Sequence, residues 1–407
     1  MRRLPRATIP PPPCPATFSR RGAAVQVTST YQSRPDTKFS IQVKSNFKDK
    51  LNFLDNILVD FDTKRVKNFE KLKEQRRELV KAIENHICAA GNARLIPVGS
   101  LVTGLVFDVA SDLDLCLFAE NKNFYNDLVR NESFRIFVFK QMQSLTYELG
   151  SLNPELIVSE NVFFPFANVP LQITRFKSGF SMDIQIPIHN FQAIRNTNLV
   201  KHYVLADGRF PLVYHYFRRL FDALGLRNSK DGLFSSYHLL MLTIHFLQCR
   251  SLTNPVLPVL CSTHPHRVGA DVPIEKVFAF LDGSIGLPED FGWKSENKQS
   301  AAELVVDMVD YYRRFNVRTD VIYINRGFAS KKKRAESMNF LQIYDPYGPQ
   351  TITKSMHLPD ALETAFSFIY RKMNTGMFLN TFPNFPEASH FRSFAEWKPW
   401  FSSLKCN

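Results

Sequence analysis

The alternation of acidic and apolar residues from Asp112 to Phe118 is the feature that most constrains the fold. The run reads Asp-Leu-Asp-Leu-Cys-Leu-Phe, and successive side chains of a β-strand point to opposite faces. A strand over this run places Asp112 and Asp114 on one face, about 6.5 Å apart, with the leucines on the other. The sequence therefore predicts a sheet that is packed on one face and carries two carboxylates on the other.

A Gly-Ser pair and a third aspartate accompany this strand. Gly99 and Ser100 follow a short apolar run, and eleven residues separate Ser100 from Asp112. At a turn after a strand, a glycine lets the backbone approach a phosphate and a serine hydroxyl can donate to it. Asp183 lies in a second alternating run, whose apolar residues face the other way. We expect the three carboxylates to converge beside this turn.

Three convergent carboxylates predict a site for two divalent cations. Paired carboxylates can bridge two metal ions about 3.5 to 4 Å apart, and hard oxygen ligands select Mg²⁺ or Mn²⁺. We expect Asp112, Asp114 and Asp183 to be both catalytic residues and metal ligands. Each motif alone is more often ordinary structure, a turn or a solvated strand face, and their conjunction in this order favours a site.

Hydrophobic periodicity predicts an α+β protein with two lobes. A helical pattern runs from Asn46 to about Gly91, strand-like runs and one helix follow as far as Ile186, and helical patterns dominate beyond Phe191. The strands predict a small mixed sheet backed by helices.

One short β ribbon is expected inside the helical part. Its two strands would be residues 321–326 and 340–344, bridged by Gly327 and the basic run Lys331-Lys-Lys-Arg. Such a run is usually a solvated loop, with nuclear targeting or phosphate contact as the alternatives.

The charge balance favours a polyanionic partner without requiring one. Lys and Arg outnumber Asp and Glu by 51 to 38, which gives a net charge of +13. The first 35 residues hold arginines but no acid, and four consecutive prolines from Pro10 oppose the amphipathic helix of a transit peptide. We expect a disordered basic tail over residues 1–40 that adds affinity for RNA.

Cysteine usage indicates a reducing compartment. The six cysteines form no Cys-x-x-Cys pair and no disulfide framework. Cys261, His264 and His266 lie close in sequence but lack a fourth zinc ligand, so we interpret them as an ordinary loop. The apolar stretch from Gly232 to Cys249 is too polar for a spanning helix, and no membrane segment is predicted.

The segment Val98-Gly-Ser-Leu-Val-Thr-Gly-Leu-Val-Phe-Asp-Val-Ala-Ser-Asp-Leu-Asp-Leu-Cys-Leu resembles the signature of the polymerase-β-like nucleotidyltransferases. Its branch is that of the noncanonical poly(A) polymerases and terminal uridylyltransferases, and the resemblance extends over roughly residues 47–380. It implies a bilobed protein with a polymerase-β-like nucleotidyltransferase lobe and a helical poly(A)-polymerase-associated lobe. The implied domains are a catalytic domain over 62–190 and a helical domain from 41–61 and 191–390, with a C-terminal tail over 391–407.

Further segments match the family residue by residue. Ala193-Ile-Arg-Asn-Thr resembles the segment whose asparagine contacts the nucleotide sugar, which implies this role for Asn196. Gly232-Leu-Phe-Ser-Ser-Tyr resembles a helix start at which a serine binds triphosphate and a tyrosine stacks on the base, here Ser236 and Tyr237. Tyr344-Asp-Pro-Tyr resembles a turn near the base pocket, with Asp345 at its acidic position. Nucleotide binding is thus expected of Gly99, Ser100, Ala193, Asn196, Arg218, Ser236, Tyr237 and Asp345.

Two departures from the family are visible. Where its members carry two lysines that grip the triphosphate, this chain has Arg218 and Asp222. Arg218 can bind phosphate through its planar fork, whereas Asp222 cannot, so the second contact is weakened or supplied by Arg219. Uridine-selective relatives carry a histidine where this chain has Thr351, which leaves uridylyl, adenylyl or mixed addition open.

The resemblance implies a template-independent RNA nucleotidyltransferase that adds ribonucleotides from NTPs to RNA 3′ ends with two Mg²⁺ or Mn²⁺ ions. The alternatives are a transferase acting on a nucleotide or small acceptor, as an oligoadenylate maker does, and an inactive scaffold that binds RNA or partners. No separate RNA-recognition module is recognisable, so we expect a protein partner or the basic tail to select targets. The expected location is the cytoplasm, including RNA granules, ahead of the nucleus or the mitochondrion.

Overall fold

A computed structural model describes most of the chain beyond the basic N-terminus. The described residues are 37–89, 91–106, 111–167, 169–188, 190–249, 254–286, 292–332, 340–348 and 350–404. The predictions for residues 1–36, and for Lys333 and Arg334 in the basic run, lie outside these ranges.

Fifteen α-helices and eight strands are formed by the described residues. The helices are α1 (Lys38–Asn46), α2 (Lys48–Ile87), α3 (Ser100–Thr103), α4 (Lys122–Arg130), α5 (Glu132–Leu152), α6 (Gln192–Ala206), α7 (Arg209–Ala223), α8 (Ser236–Cys249), α9 (Leu260–Thr263), α10 (Pro265–Val268), α11 (Ile274–Asp282), α12 (Ala301–Arg314), α13 (His357–Met373), α14 (Phe391–Ala395) and α15 (Pro399–Leu404). The strands are β1 (Ala93–Pro97), β2 (Leu113–Ala119), β3 (Val158–Phe164), β4 (Leu171–Phe176), β5 (Ser181–Gln185), β6 (Asp320–Tyr323), β7 (Phe328–Lys331) and β8 (Gln342–Tyr344).

The larger sheet has five strands in the order β1-β2-β5-β4-β3. Only β2 and β5 are parallel to each other, and the other neighbours are antiparallel. Leu113 and Leu115 of β2 and Met182 of β5 are fully buried on one face, in a cluster that also contains Phe139 of α5 and Ile83 of α2. The predicted small mixed sheet backed by helices is thus confirmed.

The long helix α2 joins the two largest hydrophobic cores among the described residues. Leu51 and Leu58, in its first half, pack in the large core formed by the later helices, including α7, α8, α12 and α13. Val80 and Ile83, in its second half, pack under the five-stranded sheet. A single helix therefore fixes the sheet relative to the helical part. The predicted boundary between the catalytic and helical domains at about Asp62 stays a proposal.

The second sheet differs from the expected ribbon. Strand β6 pairs antiparallel with β7 through a turn at Gly327, and it pairs parallel with β8 on its other edge. The two runs predicted to form a hairpin are therefore parallel neighbours. Lys331, expected in a solvated loop, ends β7, and its ammonium group lies 2.6 Å from the fully buried Asp320 carboxylate. This ion pair draws the first residue of the basic run into the sheet.

Sequence periodicity did not single out α1, α6 or the segment from residue 391. Helix α1 begins at Lys38, inside the stretch expected to be a disordered tail over residues 1–40, and Phe39 and Ser40 are buried. Helix α6 has ten buried residues among fifteen, several of them polar, such as Arg195, Asn198 and His202. Because it is covered on nearly all sides, it lacks the amphipathic period that reveals surface helices. The segment from residue 391, expected to be a tail, forms α14 and α15, and Trp400 is 1% exposed in the large core. No helix among the described residues is long and apolar enough to cross a membrane.

Candidate active site

The three predicted carboxylates come together at the junction of β2 and β5. Asp114 is in register with Asp183 on the neighbouring parallel strand, and paired strands lie about 4.8 Å apart. Asp112 immediately precedes β2, and its carboxylate accepts a hydrogen bond from the hydroxyl of Ser181, the first residue of β5. Met182, next to Asp183, points into the core on the opposite face. The alternation seen in the sequence therefore places the three acids on the same face.

This cluster carries an excess of negative charge. Burial raises the pKa of Asp114 to about 7, and repulsion by Asp183 and Asp112 contributes to the rise. Burial also raises the pKa of Asp183 to about 6, with repulsion by Asp112 adding to it, while Arg175 and Lys230 oppose the rise. Such a site favours a bound cation, because a nearby positive charge stabilises the ionised carboxylates.

Carboxylate oxygens are suitable ligands for divalent ions, but the three side chains are not already arranged around one common position. Among the described residues, no three His, Cys, Asp or Glu side chains are already arranged as a metal-binding group. Like charges repel in the metal-free chain, and the Ser181 hydroxyl holds one oxygen of Asp112. The roles of Asp112, Asp114 and Asp183 as metal ligands therefore remain a prediction. The Cys261, His264 and His266 group is likewise not arranged as a metal site.

Without bound metal, the contribution of Asp114 and Asp183 to the stability of the fold should fall as pH rises from about 4 to about 7. The pKa values of folded Asp114 and Asp183, about 7 and about 6, lie above the ordinary 3.8, so the folded chain holds protons that the unfolded chain has released. The stability that these two protonated carboxyl groups contribute at low pH is therefore lost as the pH rises through their pKa values in the folded protein. The variant Asp114→Asn should lose less stability over this pH range than the wild type does. In EDTA, the difference between its melting temperature and that of the wild type should therefore increase by about 3 °C or more from pH 4.5 to pH 8. A margin independent of pH would contradict this account.

Gly99 makes room for Asp114. Its φ of +74° is a conformation that favours glycine, and a Cβ at this position would overlap Asp114 Oδ2 and lie 3.2 Å from its Cγ. The Gly99 N–H donates to Thr197 Oγ1 at 3.0 Å, and the Thr197 hydroxyl donates to the Ala193 carbonyl at 2.7 Å. The turn is thereby tied to α6. The sequence suggested a glycine for close approach to phosphate, whereas its evident structural role is the fit against a carboxylate.

A cleft of about 640 Å³ opens beside the carboxylates. Ten of the eleven predicted site residues line it, and Asp183, the eleventh, is in register with Asp114 on the adjacent strand. The ten are Gly99, Ser100, Asp112, Asp114, Ala193, Asn196, Arg218, Ser236, Tyr237 and Asp345. Residues spread over almost 250 positions of the sequence thus face one space.

One wall of the cleft presents unsatisfied polar atoms. Asn196 Nδ2 donates to Asp345 Oδ2 at 2.8 Å, and the backbone N–H of Tyr347 donates to Asp345 Oδ1 at 2.8 Å. Burial raises the pKa of Asp345, while hydrogen bonds from Tyr347, Asn196, Gly348 and Gln192 oppose the rise. The buried Asn196 Oδ1 and Tyr237 Oη have no hydrogen-bond partner among the described residues. Buried polar atoms are normally paired, and both of these atoms belong to side chains that line the cleft.

Gln192 is a residue of this wall that sequence reasoning missed. It lines the cleft and hydrogen-bonds to Asp345. It stands one residue before the Ala193 segment, which was the only available signal. Thr351 is not among the residues that line the cleft, and its hydroxyl donates to the Thr353 carbonyl at 3.0 Å.

Another part of the cleft lining is cationic. Arg218 of α7 and Ser236, the first residue of α8, both hydrogen-bond to the buried Tyr214 hydroxyl. Arg227 also lines the cleft. Arg219, expected as a substitute for a missing lysine, instead donates through Nε to the Pro383 carbonyl at 3.2 Å and is not a lining residue. That expectation is wrong, because consecutive residues of a helix point about 100° apart and Arg219 faces away from the cleft.

Comparison with known proteins agrees with this geometry. Residues 59–205 match the family model of the central palm domain of mitochondrial-like poly(A) RNA polymerase. Poly(A) RNA polymerase gld-2 of Caenorhabditis elegans is 29% identical over 238 residues, covering 57% of this chain and 20% of that protein. The zebrafish (Danio rerio) poly(A) RNA polymerase GLD2 is 24% identical, over 67% of this chain and 52% of its own length. This chain therefore spans about half or less of these curated relatives.

Solved structures share the fold over nearly their whole length. The GLD-2/RNP-8 complex has a TM-score of 0.61 at 22% identity, covering 85% of this chain and 98% of the solved chain. The Cid1 poly(U) polymerase has a TM-score of 0.55 at 17% identity, covering 81% and 97%. The resemblance predicted from the sequence is thus confirmed: residues 59–205 match a poly(A) RNA polymerase palm-domain model, and the chain shares the fold of the solved GLD-2 and Cid1 structures.

Proposed function

We propose that this chain is a template-independent RNA nucleotidyltransferase that adds ribonucleotides from NTPs to RNA 3′ ends. One observation carries the proposal: an acidic cluster and a cationic wall lie in a single cleft, which also offers unpaired polar atoms. An acidic end suits bound divalent cations, a cationic wall suits phosphates, and the unpaired atoms suit a nucleoside. The curated relatives are named poly(A) RNA polymerases, which makes ATP the first nucleotide to test.

Each wall of the cleft has a distinct task in this proposal. Asp112, Asp114 and Asp183 would hold Mg²⁺ or Mn²⁺, and such ions, when bound, would lower the pKa of the RNA 3′ hydroxyl and neutralise the charge of the leaving pyrophosphate. Asn196 Oδ1 is free to accept a hydrogen bond from a ribose hydroxyl, and the Tyr237 ring can stack on a base. Arg218 and Ser236 can donate to phosphate oxygens. Fixing these groups on packed helices and strands pre-orients the nucleotide for in-line attack.

The acceptor and its selection are further parts of the proposal. The net charge of +13 favours RNA over a small neutral acceptor. One solved neighbour is a complex with a second protein, RNP-8, and we propose that a protein partner likewise helps this chain to select RNA targets. The four cysteines among the described residues are free thiols, which agrees with the proposed cytoplasmic location.

The test is a primer-extension assay with purified protein, a short RNA, Mg²⁺ or Mn²⁺, and each NTP singly and in pairs, followed by sequencing of the product ends. We expect untemplated 3′ extension. Nucleotide incorporation that does not require RNA would instead indicate transfer to a small acceptor. Failure of every NTP to extend RNA or to shift the melting temperature would indicate an inactive scaffold.

A further inference from the structure

Arg227 occupies a place in the cleft that no sequence motif assigned to it. It lies in the loop between α7 and α8, and its side chain is 33% exposed. Its Nε donates to the Asp222 carboxylate, and its Nη1 donates to the Ser236 hydroxyl at 3.3 Å. The guanidinium group therefore spans the distance from the end of α7 to the first residue of α8, and it lines the cleft with part of its surface open.

A second guanidinium lies at the same place. Arg218 hydrogen-bonds to the Tyr214 hydroxyl, to which Ser236 also bonds, and both Arg218 and Arg227 lower the pKa of this tyrosine against the larger effect of its burial. Two arginines thus flank Ser236, and Arg227 forms an ion pair with Asp222. Both guanidinium groups bring positive charge to this part of the cleft lining, whereas the acids of β2 and β5 are negative.

The Asp222–Arg227 ion pair is not required to hold the loop. Backbone hydrogen bonds already fold it, from Gly225 N–H to the Asp222 carbonyl at 3.0 Å and from Leu226 N–H to the Phe221 carbonyl at 2.9 Å. A third, from Phe234 N–H to the Leu226 carbonyl at 3.0 Å, closes its base. The ion pair itself adds little to the stability of the loop, because both of its side chains are partly exposed.

We infer that Arg227, oriented by Asp222, is the second cation that binds the triphosphate of the incoming nucleotide. The inference rests on the proposed function and names the residue that completes its phosphate site. Asp222 cannot bind phosphate itself. It fixes the guanidinium through Nε and leaves N–H groups at the other end of the fork to donate to phosphate oxygens. Asp222 is thus a positioning residue, and Arg227 is the residue that contacts the substrate.

Arg227→Ala should weaken ATP binding by about 10- to 100-fold, because a charge-assisted contact is lost, and should leave AMP binding unchanged. Arg227→Lys keeps the positive charge but lacks the planar guanidinium group, so its affinity for ATP should lie between those of the wild type and Arg227→Ala. Asp222→Ala should weaken ATP binding only a few-fold, since the arginine keeps its charge but loses its orientation. Asp222→Lys combined with Arg227→Ala moves the positive charge to position 222 and should recover part of the loss. Arg392→Ala removes an exposed arginine from α14 and is the matched control.

The measurement is the ratio of the ATP and AMP dissociation constants with Mg²⁺, obtained by calorimetry on each full-length variant, with the melting temperature as a check of folding. An unchanged ratio in Arg227→Ala, or a wild type that binds ATP no better than AMP, would overturn the inference. Binding is measured without RNA, so this result is separate from primer extension. If the protein fails to extend RNA but Arg227→Ala still weakens ATP binding, the proposed reaction is refuted and the contact between Arg227 and phosphate stands.

Discussion

The double variant Asp112→Ala, Asp114→Ala should still fold, but its rate of ribonucleotide addition should be at least ~10³-fold lower than that of the wild type. Both carboxylates face the cleft, and Asp114 is in register with Asp183. Removing them leaves the third acid unable to hold two divalent ions alone. Loss of a metal site removes several kcal/mol of transition-state stabilisation, which sets the size of the effect. The rate should be measured by primer extension under single-turnover conditions.

The same variant should melt in EDTA at the wild-type temperature or above it. The pKa of Asp114 is raised by burial and by its acidic neighbours, so near neutral pH its charge opposes folding rather than supporting it. Activity and stability therefore change in opposite directions, which a general packing defect would not produce. Glu70→Ala with Glu74→Ala, on the exposed side of α2, removes the same charge outside the cleft and should leave the rate unchanged. Extension of RNA by the aspartate variant would contradict the site assignment.

The sequence predicted the acidic face of the sheet because strand alternation is a local property. Asp112 and Asp114 are two residues apart, and their common orientation needs no tertiary information. Their proximity to Asp183 depends on the parallel pairing of β2 with β5, which periodicity alone does not specify. Asp183 was expected to join them because it lies in a second run that alternates in the same way, not because a strand pairing could be predicted.

The sequence predicted least where the role of a residue depends on a contact with another part of the chain. Arg227 becomes a cleft residue only because its loop folds back to Ser236, nine positions further on. Helix α6 was missed because contacts on nearly all sides allow it polar residues that mask any apolar stripe. The pairing of β6 with β8 is parallel, and three- or four-residue strands carry too little pattern to indicate their partner or direction.

Gly99→Ala should reduce ribonucleotide addition by about 100-fold or more, the second largest effect that we expect. The added Cβ would overlap Asp114 Oδ2, so this carboxylate must turn away or the turn must move. A displacement of about 1 Å at a reacting centre can cost ~10²-fold in rate. The backbone must also hold φ at +74°, which disfavours any residue with a Cβ. Primer extension and thermal melting measure the two consequences separately.

Gly104→Ala is the control for a Cβ at a positive φ without the collision. Gly104 follows the same short helix α3, and its nearest neighbour would be Phe69 Cε1 at an ordinary 3.9 Å. Its φ of 77° and ψ of 10° form the left-handed helical conformation, which costs a residue with a Cβ less than the φ of 74° and ψ of −150° at Gly99. Gly104→Ala should therefore lower the melting temperature less than Gly99→Ala does and keep most of the activity. In the background of Asp114→Ala, the extra destabilisation by Gly99→Ala should shrink to the cost of strain alone. If both glycine variants lost activity equally, the fit between Gly99 and Asp114 would not be what places the carboxylate.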